Sequence, residues 1–177
     1  EIFKHSLISD IELFQRLIFE SNNNVLYNDK VIKGSIKIKN DIVLIDKKEN
    51  KERKALNFGH TLGHAIESFF LKSEKRLLHG EAIGIGMILS SYISHKLFDF
   101  NSTNLDLIKN HILNVYKKIN FSKMEISKII ELLKHDKKNS HGNINFILLR
   151  EIGVPVYDIQ VDSKMIVDSF EYYNNWF

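Results

Sequence analysis

The 177-residue chain is 44% hydrophobic, and its 25 basic residues against 22 acidic ones leave a net charge of only +3. There is enough apolar material for a sizeable core in one domain and too much for a disordered tail; the even charge gives no case for nucleic-acid binding, although a local cationic pocket for a small anion stays open. The absence of cysteine excludes disulfides, thiolate zinc sites and cysteine nucleophiles, and with no membrane-length apolar run or secretory signal, a soluble cytoplasmic protein is expected.

The chain opens at Glu1 on an amphipathic pattern (Ile2, Phe3, Leu7, Ile8, Ile11, Phe14) with no capping residue ahead of it, which reads as a piece of something longer. One helix is predicted from residue 1 to about Glu20, ending in Ser21-Asn22-Asn23-Asn24. Across 29–46 the β-branched residues Val31, Ile32, Ile36, Ile38, Ile42, Val43 and Ile45 favour strand on propensity. Their spacing, with lysines between, favours an amphipathic helix, and helix is the reading adopted. Residues 57–70 form the next helix, with Leu62, Ile66 and Phe69 on one face.

After a polar insert at 72–76 comes the almost wholly apolar run 82–93, a helix that belongs at the centre of a bundle. Gly84 and Gly86 within it would let another backbone approach closely. Asn101-Ser102-Thr103 caps a helix to about Ile119, and Ser122 or Ser127 opens another through Leu133. Residues 143–149 and 154–161, parted by Glu151-Ile152-Gly153, read as a small hairpin, and a last helix runs from Ser163 to about Tyr173. One proline and eight glycines in the whole chain fit a single, mainly helical domain over 1–177.

His60 and His64 stand four apart, on one face of a helix, where two imidazoles can share a metal or grip one anion. That spacing alone is weak, and surface or packing roles are the commoner outcome. Thr61 stands where a zinc protease of the H-E-x-x-H type needs its glutamate, so that reading fails. Gly59 and Gly63 flank the histidines at a helical cost of about 1 kcal/mol each, tolerated where a packed helix or a ligand must come close. His79 follows at the mouth of the apolar helix.

The segment from Glu49 to Glu67, E-x3-R-x2-L-N-F-G-H-T-x-G-H-A-I-E, and Leu78 to Met87, L-H-G-E-A-x3-G-M, resemble the central signature of the 3-dehydroquinate synthase family of sugar phosphate cyclases. Glu1-Ile2-Phe3-Lys4 is similar to the family's E-V-I-K, and Asp136-Lys137-Lys138 to its D-K-K element. The resemblance therefore runs through nearly all of the chain, with a slightly longer insert before His79.

It implies the C-terminal helical metal- and substrate-binding domain of the dehydroquinate synthase-like fold. The implied ligands of one divalent metal, zinc or cobalt, are Glu1, His60 and His79. The implied substrate-binding residues are Lys4, Lys39, Arg53, Asn57, His64 and, from the D-K-K element, Lys137; His64, Lys39 and Glu49 are the implied catalytic positions.

One carboxylate and two neutral imidazoles suit zinc and leave coordination positions open. Arg53 offers a planar fork for carboxylate or phosphate and the lysines offer point charges, as a sugar acid phosphate requires. Glu49 and Arg53, four apart on a helix, can pair. In the family an N-terminal α/β domain binds NAD, and no dinucleotide fingerprint is present here, so the chain alone is expected not to turn over. A homodimer is implied for the full-length protein. Other readings are another sugar phosphate cyclase, a metal-dependent alcohol dehydrogenase relative, or a non-catalytic binding module.

Overall fold

The computed structural model describes residues 1–19, 28–71, 73–138 and 144–175, the side chains of 135–138 excepted. Helices α1 (Ile2–Ser9), α2 (Ile11–Phe19), α3 (Asp29–Ile45), α4 (His60–Phe70), α5 (His79–Phe98), α6 (Ser102–Val115) and α7 (Lys123–Lys138) precede a hairpin, β1 (Asn145–Glu151) and β2 (Val154–Gln160). Helix α8 (Ser163–Asn174) follows. Mainly α with one small hairpin is the predicted class. No helix among the described residues is long and apolar enough to cross a membrane.

Helix α5 is the axis. Residues Ala82 to Ser91 are buried without a break, as are Ile93 and Ser94, and α4, α6, α8 and β1 pack around it. Beside this axis Phe121 sits edge-on to Phe170 and Tyr173, with centroids 5.0 and 5.7 Å apart. Helix α3 confirms periodicity over β propensity: Asn28 caps it by accepting the Lys30 N–H at 2.9 Å, and Val31 and Ser35 face inward.

Three predicted boundaries are corrected. The first helix is broken at Asp10, whose extended backbone ends α1 and whose carboxylate accepts the Leu13 N–H at 2.9 Å to cap α2; the predicted end at Glu20 and the asparagine stretch lie outside the described residues. The helix predicted at 57–70 starts only at His60. Before it a 3-10 helix, Glu52–Asn57, closes, and Gly59 turns the chain at φ 78°, so Gly59 is not inside a helix. The helix predicted to Ile119 ends at Val115, because Tyr116 leaves it to lay its ring over Gly80 and Gly84 of α5. Gly84 therefore admits side chains, not a backbone.

Gly86 does admit a backbone. A Cβ there would collide with the Gly59 carbonyl oxygen and lie 2.8 Å from the Gly63 nitrogen. A Cβ on Gly59 would meet the Met87 backbone nitrogen at 2.8 Å, and one on Gly63 the Ile83 Cα at 3.0 Å. Helices α4 and α5 thus cross at backbone contact, which sets the separation of the histidines at their N-termini.

Ser122 is the residue that opens α7, through a reciprocal pair: its Oγ accepts the Glu125 N–H at 3.2 Å and its N–H donates to Glu125 Oε2 at 2.7 Å. In the hairpin, Asn145 pairs with Gln160 and Glu151 with Val154, with a register shift where Asp158 takes φ 56°. The Leu149 N–H leaves the ladder to reach Ser94 Oγ on α5 at 2.9 Å. The turn is tied to α1 by the Gly153 N–H on the Leu7 carbonyl, 2.8 Å.

Candidate metal and anion site

His60 and His79 are the first residues of α4 and α5, and the close crossing of those helices brings them together with His64, one turn into α4. One nitrogen from each ring lies within 4.8 Å of the others, and the ring centroids are 5.1 to 5.9 Å apart. Nitrogens sharing a tetrahedral zinc stand about 3.3 Å apart, so modest side-chain rotation closes the set around an ion. The donor set therefore fits a divalent metal.

The three rings differ in what holds them. His60 Nδ1 donates to the Phe58 carbonyl at 3.2 Å, and His79 Nδ1 to Glu67 Oε2 at 3.0 Å. Both partners only accept, so each ring carries its proton on Nδ1 and presents a bare Nε2. Among the described residues no hydrogen bond holds His64, which is exposed. Burial, with the Lys4 charge adding to it and the Phe58 hydrogen bond opposing it, pushes His60 down to about 4. At neutral pH His60 is thus in the neutral, ligating form.

Beside His60 opens a cavity of 260 Å³ lined by Glu1, Lys4, Lys39, Glu49, Arg53, Leu56, Asn57 and His60. Seven of those eight are predicted site residues, gathered from α1, α3, the connecting loop and the start of α4. His64 and His79 join it through the histidine cluster, and the side chain of Lys137 lies outside the described residues. Glu1 lines the cavity but is not part of the cluster of three imidazoles. Its Oε1 accepts from Lys4 Nζ at 2.9 Å. Lys4 is 3% exposed; burial pushes its pKa down, and Glu1 opposes that.

The loop after α3 is built by Asp46, whose carboxylate collects the N–H groups of Asn50, Lys51 and Arg53 at 3.0, 2.7 and 3.1 Å. Those bonds, Lys51's first, hold its carboxyl below the usual range. Glu49 sits in this loop at φ 57°, a left-handed conformation that costs about 1 kcal/mol or more for a non-glycine residue. Glu49 is therefore not on a helix, as its spacing to Arg53 suggested, yet the pair forms: Arg53 Nε lies 3.7 Å from Glu49 Oε2, and Asn57 Nδ2 donates to Glu49 Oε1 at 2.7 Å. Three cations against two carboxylates leave the cavity attractive to an anion.

Glu67, Asp46, Leu56, His5 and Ser35 are absent from the sequence-predicted set. Glu67 stands in the motif, but its partner lies across the α4–α5 crossing, which nothing local announces. Asp46 is the exception, since a lone Asp ahead of a polar turn is an ordinary signal for a carboxylate binding successive backbone N–H groups.

Fold and site together define a helical domain that sets a cluster of three histidines beside a cationic pocket, and the fold is that of solved sugar phosphate cyclases. Two solved structures share the fold: 2-epi-5-epi-valiolone synthase from Streptomyces hygroscopicus with NAD+ and Zn2+ bound, at TM-score 0.78 and 22% identity over 97% of this chain and 49% of that one, and 2-deoxy-scyllo-inosose synthase complexed with carbaglucose-6-phosphate, NAD+ and Co2+, at TM-score 0.72 and 22% identity over 99% and 50%.

The chain belongs to the 3-dehydroquinate synthase C-terminal family, whose model matches residues 1–139. It is 36% identical to a 3-dehydroquinate synthase of Parabacteroides distasonis, over all of this chain and 51% of that protein. It is 40% identical to one of Methylacidiphilum infernorum, over 88% of this chain and 42% of that protein. The chain spans about half the length of the curated relatives it matches.

Proposed function

We propose that this chain is the metal- and substrate-holding half of a cytoplasmic, homodimeric 3-dehydroquinate synthase, a phosphate-eliminating lyase that converts 3-deoxy-D-arabino-heptulosonate 7-phosphate to 3-dehydroquinate. The observation that carries the reading is the convergence of the histidine cluster and the cationic cavity on His60. In this reading an NAD-binding α/β domain lies in a part of the enzyme outside this chain, and the two parts together carry the reaction.

His60, His79 and Glu1 would hold the metal, zinc or cobalt. This division rests on the outer hydrogen bonds that orient His60 and His79 and leave His64 unheld. A metal bound there supplies Lewis acidity to vicinal hydroxyls, and NAD from the other half supplies the hydride acceptor. Arg53 and the lysines Lys4, Lys39 and Lys137 bind the carboxylate and phosphate; Glu49 aims both Arg53 and Asn57. His64, exposed and free to rotate, binds the substrate or carries a proton to and from it. Lys39 and Glu49 act beside it at the reacting carbons.

Cobalt uptake followed by visible absorption tests the assignment. The chain is expected to bind one Co2+ and lose it in His60→Ala and His79→Ala, while His64→Ala keeps the metal and loses affinity for a seven-carbon sugar acid phosphate. Retention of cobalt in His60→Ala would refute it. Turnover by the chain alone with NAD and substrate would refute the division between halves.

A further inference from the structure

His5 is 2% exposed on α1, in the seam between α1 and α3. An imidazole buried in such a place loses its hydration, and an unsatisfied ring nitrogen costs about 1–3 kcal/mol. A leucine there would carry no such penalty. One nitrogen is satisfied: Nδ1 lies 2.7 Å from Ser35 Oγ, a hydroxyl itself 5% exposed and 30 residues further along the chain. The other, Nε2, is buried and has no hydrogen-bond partner among the described residues, yet it lies 3.4 Å from Glu1 Oε2.

The Ser35 hydroxyl can donate to Nδ1, which leaves the ring proton on Nε2, facing that carboxylate. The two oxygens of Glu1 then have separate neighbours, Lys4 at Oε1 and His5 at Oε2. Lys4 supplies charge and His5 supplies direction.

We propose that His5, backed by Ser35, is a positioning residue for Glu1: its Nε2–H holds the carboxylate in the orientation in which Glu1 joins His60 and His79 at the metal. This rests on the metal assignment made above. The arrangement repeats with roles exchanged what Phe58 and Glu67 do for the imidazoles. There acceptors aim rings, and here a ring aims a carboxylate. Helix α1 is also tied to the hairpin turn, through the Gly153 N–H on the Leu7 carbonyl.

The test is cobalt titration of the intact chain with its visible spectrum, alongside thermal unfolding of each metal-free variant. Glutamine can put an N–H where His5 has Nε2, whereas asparagine reaches only the Nδ1 position. His5→Gln is expected to bind cobalt within about threefold of the parent chain, and His5→Asn and His5→Leu about tenfold or more weakly with a shifted spectrum. Ser35→Ala falls between, and it decides the matter should His5→Leu fail to fold.

Parental affinity in His5→Leu and His5→Asn, or a His5→Gln no better than His5→Leu, overturns the proposal. His60→Ala separates the two levels. If the parent chain binds cobalt, His60→Ala does not and His5→Asn does, only the role of His5 falls; if the parent chain takes up no cobalt, the metal assignment falls and this inference with it.

Discussion

Replacing Gly86 by alanine sets two effects of opposite sign against each other. On propensity alone the change stabilises a helix interior by about 1 kcal/mol. At the α4–α5 crossing the new methyl would meet the Gly59 carbonyl oxygen and the Gly63 nitrogen, the latter at 2.8 Å. Both are backbone atoms, so no side chain can swing aside; a whole helix must shift. Overpacking of this kind costs about 1–3 kcal/mol where side chains can adjust, and the upper end or more where they cannot. The net expectation is a loss of about 2–3 kcal/mol, or a fall in Tm of roughly 5–10 °C for a chain of this size. Urea and thermal unfolding measure it. Gly34→Ala on α3, where a Cβ would have nothing within 4 Å, is the control and should gain up to about 1 kcal/mol. A Gly86→Ala protein as stable as the parent, or more so, would refute the backbone-contact account of the crossing.

Stability of the metal-free chain should fall as pH drops from about 6.5 towards 4. Burial holds both His5 and His60 down at about 4, so the unfolded chain takes up protons that the folded one refuses; the loss by pH 5 is about 3 kcal/mol for the pair, with the His60 share halved for the water that still reaches it. Denaturant midpoints at pH 7, 6 and 5 check the slope, and a flat profile would contradict it. Glu67→Ala should weaken cobalt binding about tenfold while leaving Tm nearly unchanged, because it frees the His79 tautomer; equal affinity by titration would count against the role given to Glu67. Asp46→Ala should loosen the Glu49–Arg53 loop and reduce sugar acid phosphate affinity, measured calorimetrically, by more than it reduces cobalt affinity.

Much of this arrangement is legible in the residues alone. The amphipathic period of α3 and the buried run of α5 are set by local spacing, which packing only reinforces. Most of the cavity lining could be named only because its residues stand at positions marked by the family resemblance, since spacing alone does not single them out. Much of what escaped depends on contacts between distant segments, although Asp10 and Asp46 escaped while making local bonds. The break at Asp10 is a cap that continuous apolar periodicity masks. Gly59 looks like an ordinary helical glycine until Met87 lies against it, and Tyr116 ends α6 early because the glycine face of α5 offers its ring a seat. The same holds in the site: the Glu67–His79 and His5–Ser35 contacts span 12 and 30 residues, and no periodicity connects them.

A two-stranded sheet leaves both long edges open, and an open edge is a template on which another molecule's strand can pair. Here the inner edge is closed, since the Leu149 N–H is spent on Ser94 of α5. The outer strand carries Pro155, which has no N–H to offer, and the left-handed Asp158, which kinks the ladder. Growth of the sheet from molecule to molecule is thereby blocked on both sides. At this face, resistance to aggregation is shared between α5, which covers the inner strand, and the irregular residues of the outer one.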